Sequence, residues 1–281
     1  MRASFLLAIG AVSAFLGCGR LGFDASQTGT PDAASSSDAS PADGSTDLNL
    51  VSRAVLSRYF LAEGVIDAPV ASSRGDLELE VLDATNLETL SPSSGRGVRF
   101  NVVGGPDRIC APIAGSTVAA IEGMNQATLE IVADIRVGHE FRSRLAGIGI
   151  GGQWGFSLGY SSADTTIVYS MNNTQTVFGA WTVDADARDR AVYTVVYDSN
   201  ETAEAERVRL YINGLLATPA PSQNIDSGMV LTVGAGIFCI GNSPEATRAP
   251  DGDIFYAALY SAALTGSEVA RNSARLLEFD D

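Results

Sequence analysis

The segments YTVVYD at residues 193–198 and RLYING at residues 209–214 decide the fold. Both are rich in β-branched and aromatic residues, which favour pleated strands. An acidic stretch at residues 198–206 separates them, and the second segment runs directly into Asn213-Gly214. That dipeptide favours a type I′ turn, because both central residues of such a turn need a positive φ. The sequence therefore predicts antiparallel strands at residues 191–197 and 208–212, with a tight turn after the second.

The same pattern extends along most of the chain. Val98, Phe100 and Val102 alternate with polar neighbours, which is the period of a half-buried strand. Comparable runs predict strands at residues 55–61, 127–137, 230–240 and 253–260. Only the tail has helical character, beginning with a capping box at residues 265–268 (TGSE). Many short strands joined by glycine-rich turns predict a sandwich or a barrel.

Composition excludes several kinds of chemistry. The 281 residues carry a formal net charge of −15, which opposes nucleic-acid binding because such binding needs a basic surface. The 18 basic residues are all arginine, so Schiff-base and phosphate-loop lysines are excluded. His139 is the single histidine, so a mechanism that needs two imidazoles is excluded as well.

The N-terminus has the features of an export signal. Residues 3–16 form an apolar run after Arg2, too short to span a bilayer, which takes roughly 20 residues, but suited to a secretory signal. The run ends in Phe15-Leu16-Gly17-Cys18, which resembles the lipobox of bacterial lipoproteins. The resemblance implies that residues 1–17 are removed and that Cys18 is lipidated. No aspartate follows Cys18, which in that family implies anchoring in the outer membrane, on a side that the sequence does not determine.

A linker follows the lipobox. Residues 24–47 contain only Asp, Ala, Ser, Thr, Pro, Gly and one Gln, and such a stretch cannot bury enough apolar surface to offset its ordering entropy. Residues 18–47 are therefore predicted to be a disordered tether. From residue 48 to residue 281 the composition is that of a globular protein, and one domain is the simplest account.

Three segments of this domain resemble the laminin-G-like, concanavalin A-like jelly roll. They are residues 95–112, the strand pair quoted above, and residues 238–269 with the closing strands and the short terminal helix. The resemblance implies an all-β, two-sheet antiparallel jelly-roll sandwich with a short C-terminal helix. The strand at residues 127–134 has Val132-Ala133 where a tryptophan is common in that family, which weakens any transfer of ligand contacts.

Two cysteines remain once Cys18 is assigned to lipid. Outside the cytoplasm, Cys110 and Cys239 are candidates for a disulfide that closes a long loop. The alternative is two buried free thiols that act as small hydrophobic residues. Two cysteines and one distant histidine do not match the ligand spacing of a zinc site.

The candidate ligand contacts are aromatic. Trp154 and Tyr160 share one face of a strand with Phe156 and Leu158, while glycine and serine occupy the other face. This stripe is either a stacking platform for sugars or part of the core, in which case the glycine and serine face is open to a ligand. Tyr169 and Trp181 are further candidates and are expected at the surface.

Calcium is the one cofactor that the sequence suggests. Relatives in the resembled family often bind one Ca²⁺ through loop oxygens, and Asn242, Glu245, Asp251 and Asp253 crowd one loop. The sequence therefore predicts a candidate site at Asn242, Asp251 and Asp253, with a solvated loop as the alternative.

Enzymatic activity on this fold would need a recognisable constellation. Glycoside hydrolases of the fold place two glutamates and an aspartate on one strand face, and Glu130 to Asp134 has the wrong spacing. Polysaccharide lyases of the fold use a histidine, a tyrosine and an arginine, and Arg142 and Arg144 lie close to His139. The sequence shows no converging cluster of either kind.

Three classes of function remain. The first is a non-catalytic lipoprotein of the cell envelope that presents a binding module for a glycan or a neighbouring envelope protein. The second is a hydrolase or lyase of the same fold, and a purely structural envelope domain is a third possibility. The sequence identifies neither the ligand nor the oligomeric state.

Overall fold

The structure, a computed structural model, describes residues 49–61, 69–90, 96–137, 142–151, 153–161, 166–174, 177–183, 189–218 and 225–278. Within these ranges almost all regular structure is extended. The strands are β1 Val55–Phe60, β2 Glu80–Asp83, β3 Leu87–Thr89, β4 Val98–Phe100, β5 Arg108–Pro112, β6 Gln126–Val137, β7 Ser143–Ile150, β8 Gln153–Ser161, β9 Thr166–Thr174, β10 Val177–Thr182, β11 Ala191–Asp198, β12 Val208–Ile212, β13 Leu215–Leu216, β14 Ile237–Ile240 and β15 Asp251–Tyr260. One α-helix, α1, spans Gly266–Glu278, and no helix in the described ranges is long and apolar enough to cross a bilayer.

The strands form two antiparallel sheets packed face to face. The eight-stranded sheet has the order β13-β12-β11-β6-β15-β4-β3, with β1 also paired to β15. The seven-stranded sheet has the order β10-β9-β8-β7-β14-β5-β2. Strands that are distant in sequence lie side by side in both sheets, as in β6 with β15 and β14 with β5. The predicted two-sheet antiparallel sandwich with a C-terminal helix is confirmed.

The deciding strand pair forms as predicted. β11 and β12 pair antiparallel from Tyr193 opposite Ile212 to Tyr197 opposite Val208. Asn213 and Gly214 then turn the chain into β13 with φ values of 51° and 81°. The Asn213 side-chain oxygen accepts a hydrogen bond from the Val192 backbone N–H at 2.8 Å, which fastens the turn to β11.

The predicted strand at residues 230–240 is shorter than expected, since only Ile237–Ile240 is a strand. The backbone N–H groups of Val233 and Gly234 donate to the Glu122 carboxylate at 2.6 and 2.8 Å, so they have no strand partner. Gly234 has a φ of 54°, which breaks the extended conformation. Apolar residues such as Leu231 are buried here without being in a strand, and that is why the apolar run misled the prediction.

Two apolar clusters surround the eight-stranded sheet. The larger cluster fills the space between the sheets, with Phe100, Leu129, Phe156, Tyr169 and Phe238 among its fully buried members. The smaller cluster lies on the opposite face of the eight-stranded sheet. It joins sheet residues to helix α1 and to the start of the described chain, through Leu50, Val51, Val192, Tyr256, Tyr260, Val269 and Leu276 among others.

Helix α1 begins at the predicted capping box. The Glu268 N–H donates to the Thr265 hydroxyl at 3.3 Å, and the Thr265 N–H donates to the Glu268 carboxylate at 2.8 Å. Arg53 donates to the same carboxylate through Nε and Nη2, both at 2.6 Å. The Arg53 hydrogen bond, together with those from Thr265, lowers the pKa of Glu268 to about 2.

A buried polar network lies beneath the helix. Glu130 is fully buried and accepts hydrogen bonds from the Asn272 side chain at 3.2 and 3.3 Å. Asn272 also accepts from the Val51 backbone N–H at 2.9 Å, and Arg58 donates to the Val51 carbonyl. Burial raises the pKa of Glu130 to about 7 despite these hydrogen bonds. The network therefore joins helix α1, strand β6 and residues 51–58. Burying the Glu130 carboxyl group lowers the stability gained from these hydrogen bonds.

The disulfide is present. Cys110 of β5 and Cys239 of β14 are direct cross-strand partners, with their Cα atoms 4.2 Å apart, and a bond joins their sulfurs. Both residues are buried, and they point away from the core because their neighbours Ile109, Ala111, Phe238 and Ile240 point into it. The bond closes a sequence separation of 129 residues.

Replacing both Cys110 and Cys239 with alanine is expected to lower the free energy of unfolding by about 2–5 kcal/mol, because the unfolded chain regains the freedom of a long loop. Urea unfolding followed by circular dichroism measures the change. A reducing agent should shift the wild-type midpoint and leave that of the double variant in place. Equal midpoints for the wild type and the double variant would contradict the expectation.

Glu130→Gln is expected to remove a pH dependence of stability. The folded-state pKa of Glu130, about 7, lies above the ordinary value of 4.5, so the folded protein binds the extra proton. Its contribution to stability is present below pH 4.5 and is lost as the pH rises through 7, by about 3 kcal/mol in all. The difference in unfolding free energy between the variant and the wild type should grow over this range. The exposed Glu78→Gln is the matched control and should run parallel to the wild type.

Candidate functional site

The two outer faces of the sandwich differ in what covers them. The outer face of the eight-stranded sheet is closed at one end by helix α1. Its other end carries a row of ion pairs, in which Asp253 accepts from Arg99 at 2.8 and 2.9 Å and from Arg136 at 3.0 Å. No helix covers the outer face of the seven-stranded sheet within the described ranges. That second face is the candidate functional site.

Small residues occupy the outward side of this sheet, and they are buried in this structure. Along β8, Phe156, Leu158 and Tyr160 point into the core, so Ser157 and Gly159 point outward. Pairing across the sheet aligns Cys110, Cys239, Gly147, Ser157 and Ser170 in one row. We call Gly147, Gly149, Ser157 and Gly159 the glycine floor.

Two large side chains lie on the glycine floor. The strand register is irregular between Trp154 and Phe156. The Trp154 ring is therefore not part of the core cluster that contains Phe156, Leu158 and Tyr160. An ideal Cβ built on Gly159 would lie 2.9 Å from that ring, and one built on Gly149 would lie 2.6 Å from Arg144 Nη1. The Arg144 guanidinium carbon lies 4.3 Å from the centroid of the Trp154 ring. The absence of side chains at the two glycines thus makes room for a cation–π pair.

Arg144 is an unusual buried cation. It is 0% exposed, and its Nη2 donates to the Gln153 carbonyl at 3.3 Å. Its Nε and Nη1 atoms have no hydrogen-bond partner among the described groups. Burial, together with the charge of Arg248, lowers the pKa of Arg144 to about 9, while Glu245 acts in the opposite direction. Ser157 Oγ, on the same floor, is also buried without a partner in the described part of the chain.

The loop at residues 241–250 borders this face. Asn242 anchors it, since its Nδ2 donates to the carbonyls of Gly105 and Asp107 at 2.9 and 2.7 Å. Arg108 donates to the Pro244 carbonyl at 2.8 Å, and the Arg144 N–H donates to the Arg248 carbonyl at 2.8 Å. The loop therefore lies against β5 and β7, with three arginines and the exposed Glu245 around it.

The structure does not bring Asn242, Asp251 and Asp253 together as a calcium site. The Asn242 oxygen accepts from the N–H groups of Ser243 and Arg248, both at 2.7 Å. Asp251 accepts from Arg136 at 2.6 Å, and Asp253 is held by Arg99 and Arg136. These oxygens already satisfy protein donors, and the described residues contain no group of three acidic, histidine or cysteine side chains able to hold a metal. The arrangement of these residues therefore gives the calcium site no support, and it stays a prediction.

The expectation that Tyr169 and Trp181 lie at the surface is wrong, and Trp154 and Tyr160 are buried as well. Trp154, Tyr160, Tyr169 and Trp181 are 5%, 1%, 0% and 2% exposed. Tyr169 packs edge to face against Phe156, with ring centroids 5.7 Å apart. The Trp181 ring folds over Gly179, where an ideal Cβ would lie 2.4 Å away. None of these rings offers a free face for stacking on a sugar, and the alternative, that the stripe belongs to the core, holds for Tyr160.

Two further residues that the sequence singled out, the lipidation candidate Cys18 and the loop histidine His139, lie outside the described residues. Arg144, which the sequence noted only as a neighbour of His139, is the residue that sequence reasoning undervalued. The signal was present in the outward glycines of β7 and β8, but it becomes visible only when the two strands are paired.

Gly159→Ala is expected to destabilise the fold by about 1–3 kcal/mol through overpacking. The new methyl group would lie 2.3 Å from the Ser143 carbonyl oxygen, which belongs to the backbone and cannot move aside freely. Thermal unfolding followed by circular dichroism measures the loss. Gly266→Ala is the matched control, because its new methyl group would meet nothing closer than 3.6 Å. Equal melting temperatures for the two variants would show that the floor does not need its glycines.

Solved structures with the same fold are distant in sequence. A sialidase from Trypanosoma rangeli, solved in complex with the inhibitor DANA, superposes with a TM-score of 0.54 at 16% identity, covering 78% of this chain and 32% of the sialidase. The binding domain of Botulinum Neurotoxin DC in complex with SialylT superposes with a TM-score of 0.56 at 12% identity, covering 79% of this chain and 52% of that one. The chain therefore spans about a third to a half of these proteins. At this identity the likeness shows the fold alone.

No curated protein sequence matches the chain significantly. A laminin G family model, described as the Concanavalin A-like lectin/glucanases superfamily, matches residues 128–270, which include the deciding strand pair, most of the candidate face and the start of helix α1. The two-sheet sandwich and this match together show that the chain belongs to the laminin G family of the Concanavalin A-like lectin/glucanases superfamily.

Proposed function

We propose that the protein is a non-catalytic recognition module of the bacterial outer membrane, anchored by a lipid on Cys18, that binds a glycan on the outer face of its seven-stranded sheet. Residues 18–47 act as the tether, and the domain from residue 48 onward carries the binding face. The observation that carries the proposal is the glycine floor with its buried, unpartnered polar atoms on Arg144 and Ser157. Buried polar atoms without a partner also occur elsewhere in the described structure, for example on Arg58 and Tyr256, but those of Arg144 and Ser157 share this outer face. A sugar hydroxyl or a charged sugar group would supply partners for them.

The positions and hydrogen-bond partners of three carboxyl groups support a non-catalytic function. Most glycosidases use two carboxyl groups about 5–9.5 Å apart on either side of the scissile bond, whereas sialidases use a tyrosine nucleophile. In the described structure Glu130 lies under helix α1, and Asp251 and Asp253 are bound by arginines. None of these three is placed to act on a sugar bond. The sialidase named above is an enzyme with the same fold over part of its length, and a hydrolase is therefore the alternative to test.

Binding and catalysis are tested on the full chain purified in detergent. It is incubated with a panel of neutral and acidic polysaccharides, with calcium and again with a chelator. We expect saturable binding in both conditions, with no release of reducing ends or unsaturated products. Product release would overturn the non-catalytic assignment. Absence of binding to every polysaccharide of the panel would overturn glycan recognition.

The binding face is mapped by a pair of substitutions. Ile237 is half-buried and points outward on β14 beside Gly149, whereas Leu215 is 76% exposed at the edge of the other sheet. Ile237→Trp should weaken binding at least tenfold by obstructing the face, and Leu215→Trp should leave it unchanged. Equal binding by both variants would place the site elsewhere.

A further inference from the structure

Arg144 lacks the counter-charge that five other arginines of the described structure have. Arg53, Arg99, Arg136, Arg209 and Arg275 each have a carboxylate oxygen within 4.0 Å. No such partner lies beside Arg144 among the described groups, although Arg144 is among the largest fully buried side chains described. Burying an ion without a partner is energetically unfavourable, and an external group of opposite charge would supply the missing partner.

Neighbouring groups fix the position of the Arg144 guanidinium. The Trp154 ring lies against it at 4.3 Å, and Gly149 lies beneath its Nη1 atom. The side chain therefore needs no reordering when an anion arrives, which reduces the entropic cost of binding. Because the ring and the floor flank the guanidinium, a ligand group meets it edge-on. A planar carboxylate fits this geometry, because its two oxygens can accept two parallel hydrogen bonds from one edge of a guanidinium.

The local charge favours an anion. Arg108 and Arg248 lie at the same loop as Arg144, and Glu245 is the acidic residue there, in a chain whose formal net charge is −15. The Glu245 carboxylate lies over the turn between β7 and β8, since an ideal Cβ on Gly151 would lie 3.2 Å from its Oε1. Glu245 is exposed and acts on Arg144 only from a distance. It therefore occupies the position of a weak internal counter-charge that an incoming carboxylate displaces.

We propose that Arg144, with Trp154 and the glycine floor, binds the carboxylate of an acidic polysaccharide, and that Glu245 competes with that carboxylate. This inference rests on the proposed function, since it names the class of glycan that the same face takes. Arg144 is fully covered in this structure, so binding includes movement of the groups that cover its guanidinium. The Ser157 hydroxyl and the narrow floor of small residues then face the sugar ring that bears the carboxylate.

The test uses pairs of polysaccharides that differ only in charge. The full chain in detergent is titrated at about 0.15 M salt, where exposed charges are screened beyond about 8 Å. The probes are polygalacturonate, alginate, hyaluronan and polysialate, each compared with its methyl-esterified form, and dextran sulfate is added as a non-carboxylate polyanion. We expect at least one acidic polysaccharide to bind at least tenfold more tightly than its methyl ester and than dextran sulfate.

Variants assign the effect to the proposed groups. Arg144→Met should weaken binding of the acidic polysaccharide at least tenfold, and Glu245→Gln should tighten it severalfold. Arg275→Met, an exposed arginine on helix α1, is the matched control and should bind like the wild type. Arg144→Met removes an unpaired buried charge, so its melting temperature should not fall. Glu245→Gln changes an exposed side chain and should not disturb folding. If Arg144→Met folds poorly, the binding affinity of Glu245→Gln still tests the proposal.

The outcomes separate this inference from the proposed function. Equal binding of an acidic polysaccharide and its ester, unchanged by Arg144→Met, would leave glycan recognition standing and overturn the role of Arg144. Binding of dextran sulfate as tightly as the carboxylates would overturn the carboxylate assignment. If no polysaccharide bound, while polyglutamate bound and required Arg144, both proposals would fall and an acidic protein would be the partner.

Discussion

The apolar contact between the two sheets determines the rest of the structure. Strand side chains alternate, so each strand that places Leu129, Phe156 or Phe238 in the shared core must place its other residues outward. The protein therefore has two outer faces, and each has to be made compatible with water or covered. One is covered by helix α1 and the first described residues. The other is built from glycine, serine and a disulfide, with one arginine and one tryptophan laid across it.

Both faces contain buried charge, and its surroundings differ between them. Under the helix, Glu130 is surrounded by Asn272, Tyr260 and Arg58, so groups of the protein itself offset part of the cost of burying it. On the glycine floor, Arg144 has a carbonyl and an aromatic ring but no carboxylate. Buried atoms without a hydrogen-bond partner occur on both faces, since Arg58 Nε and the Tyr256 hydroxyl also lack one. The difference is that a carboxyl group is buried close to an arginine under the helix, whereas Arg144 is buried without a carboxyl group beside it.

The fold was predictable because its signals are local. The Asn213-Gly214 turn, the Thr265–Glu268 capping box and the alternation of β6 each depend on a few neighbouring residues. The disulfide could be proposed from parity and compartment, but its partners meet only because β5 and β14 pair across a long stretch of chain. The candidate site depends on such long-range pairing throughout. Whether Trp181 is exposed depends on the missing side chain of Gly179, and whether Asp253 is free depends on Arg99, which is 154 residues away.

The start of the described chain has a consequence for how the domain is presented. Leu50 and Val51 pack with Leu276 of helix α1 against the eight-stranded sheet, so both ends of the described chain lie on the side opposite the glycine floor. A group bound at Leu50 or Val51 and a group bound on the glycine floor would therefore be separated by the full thickness of the two packed sheets.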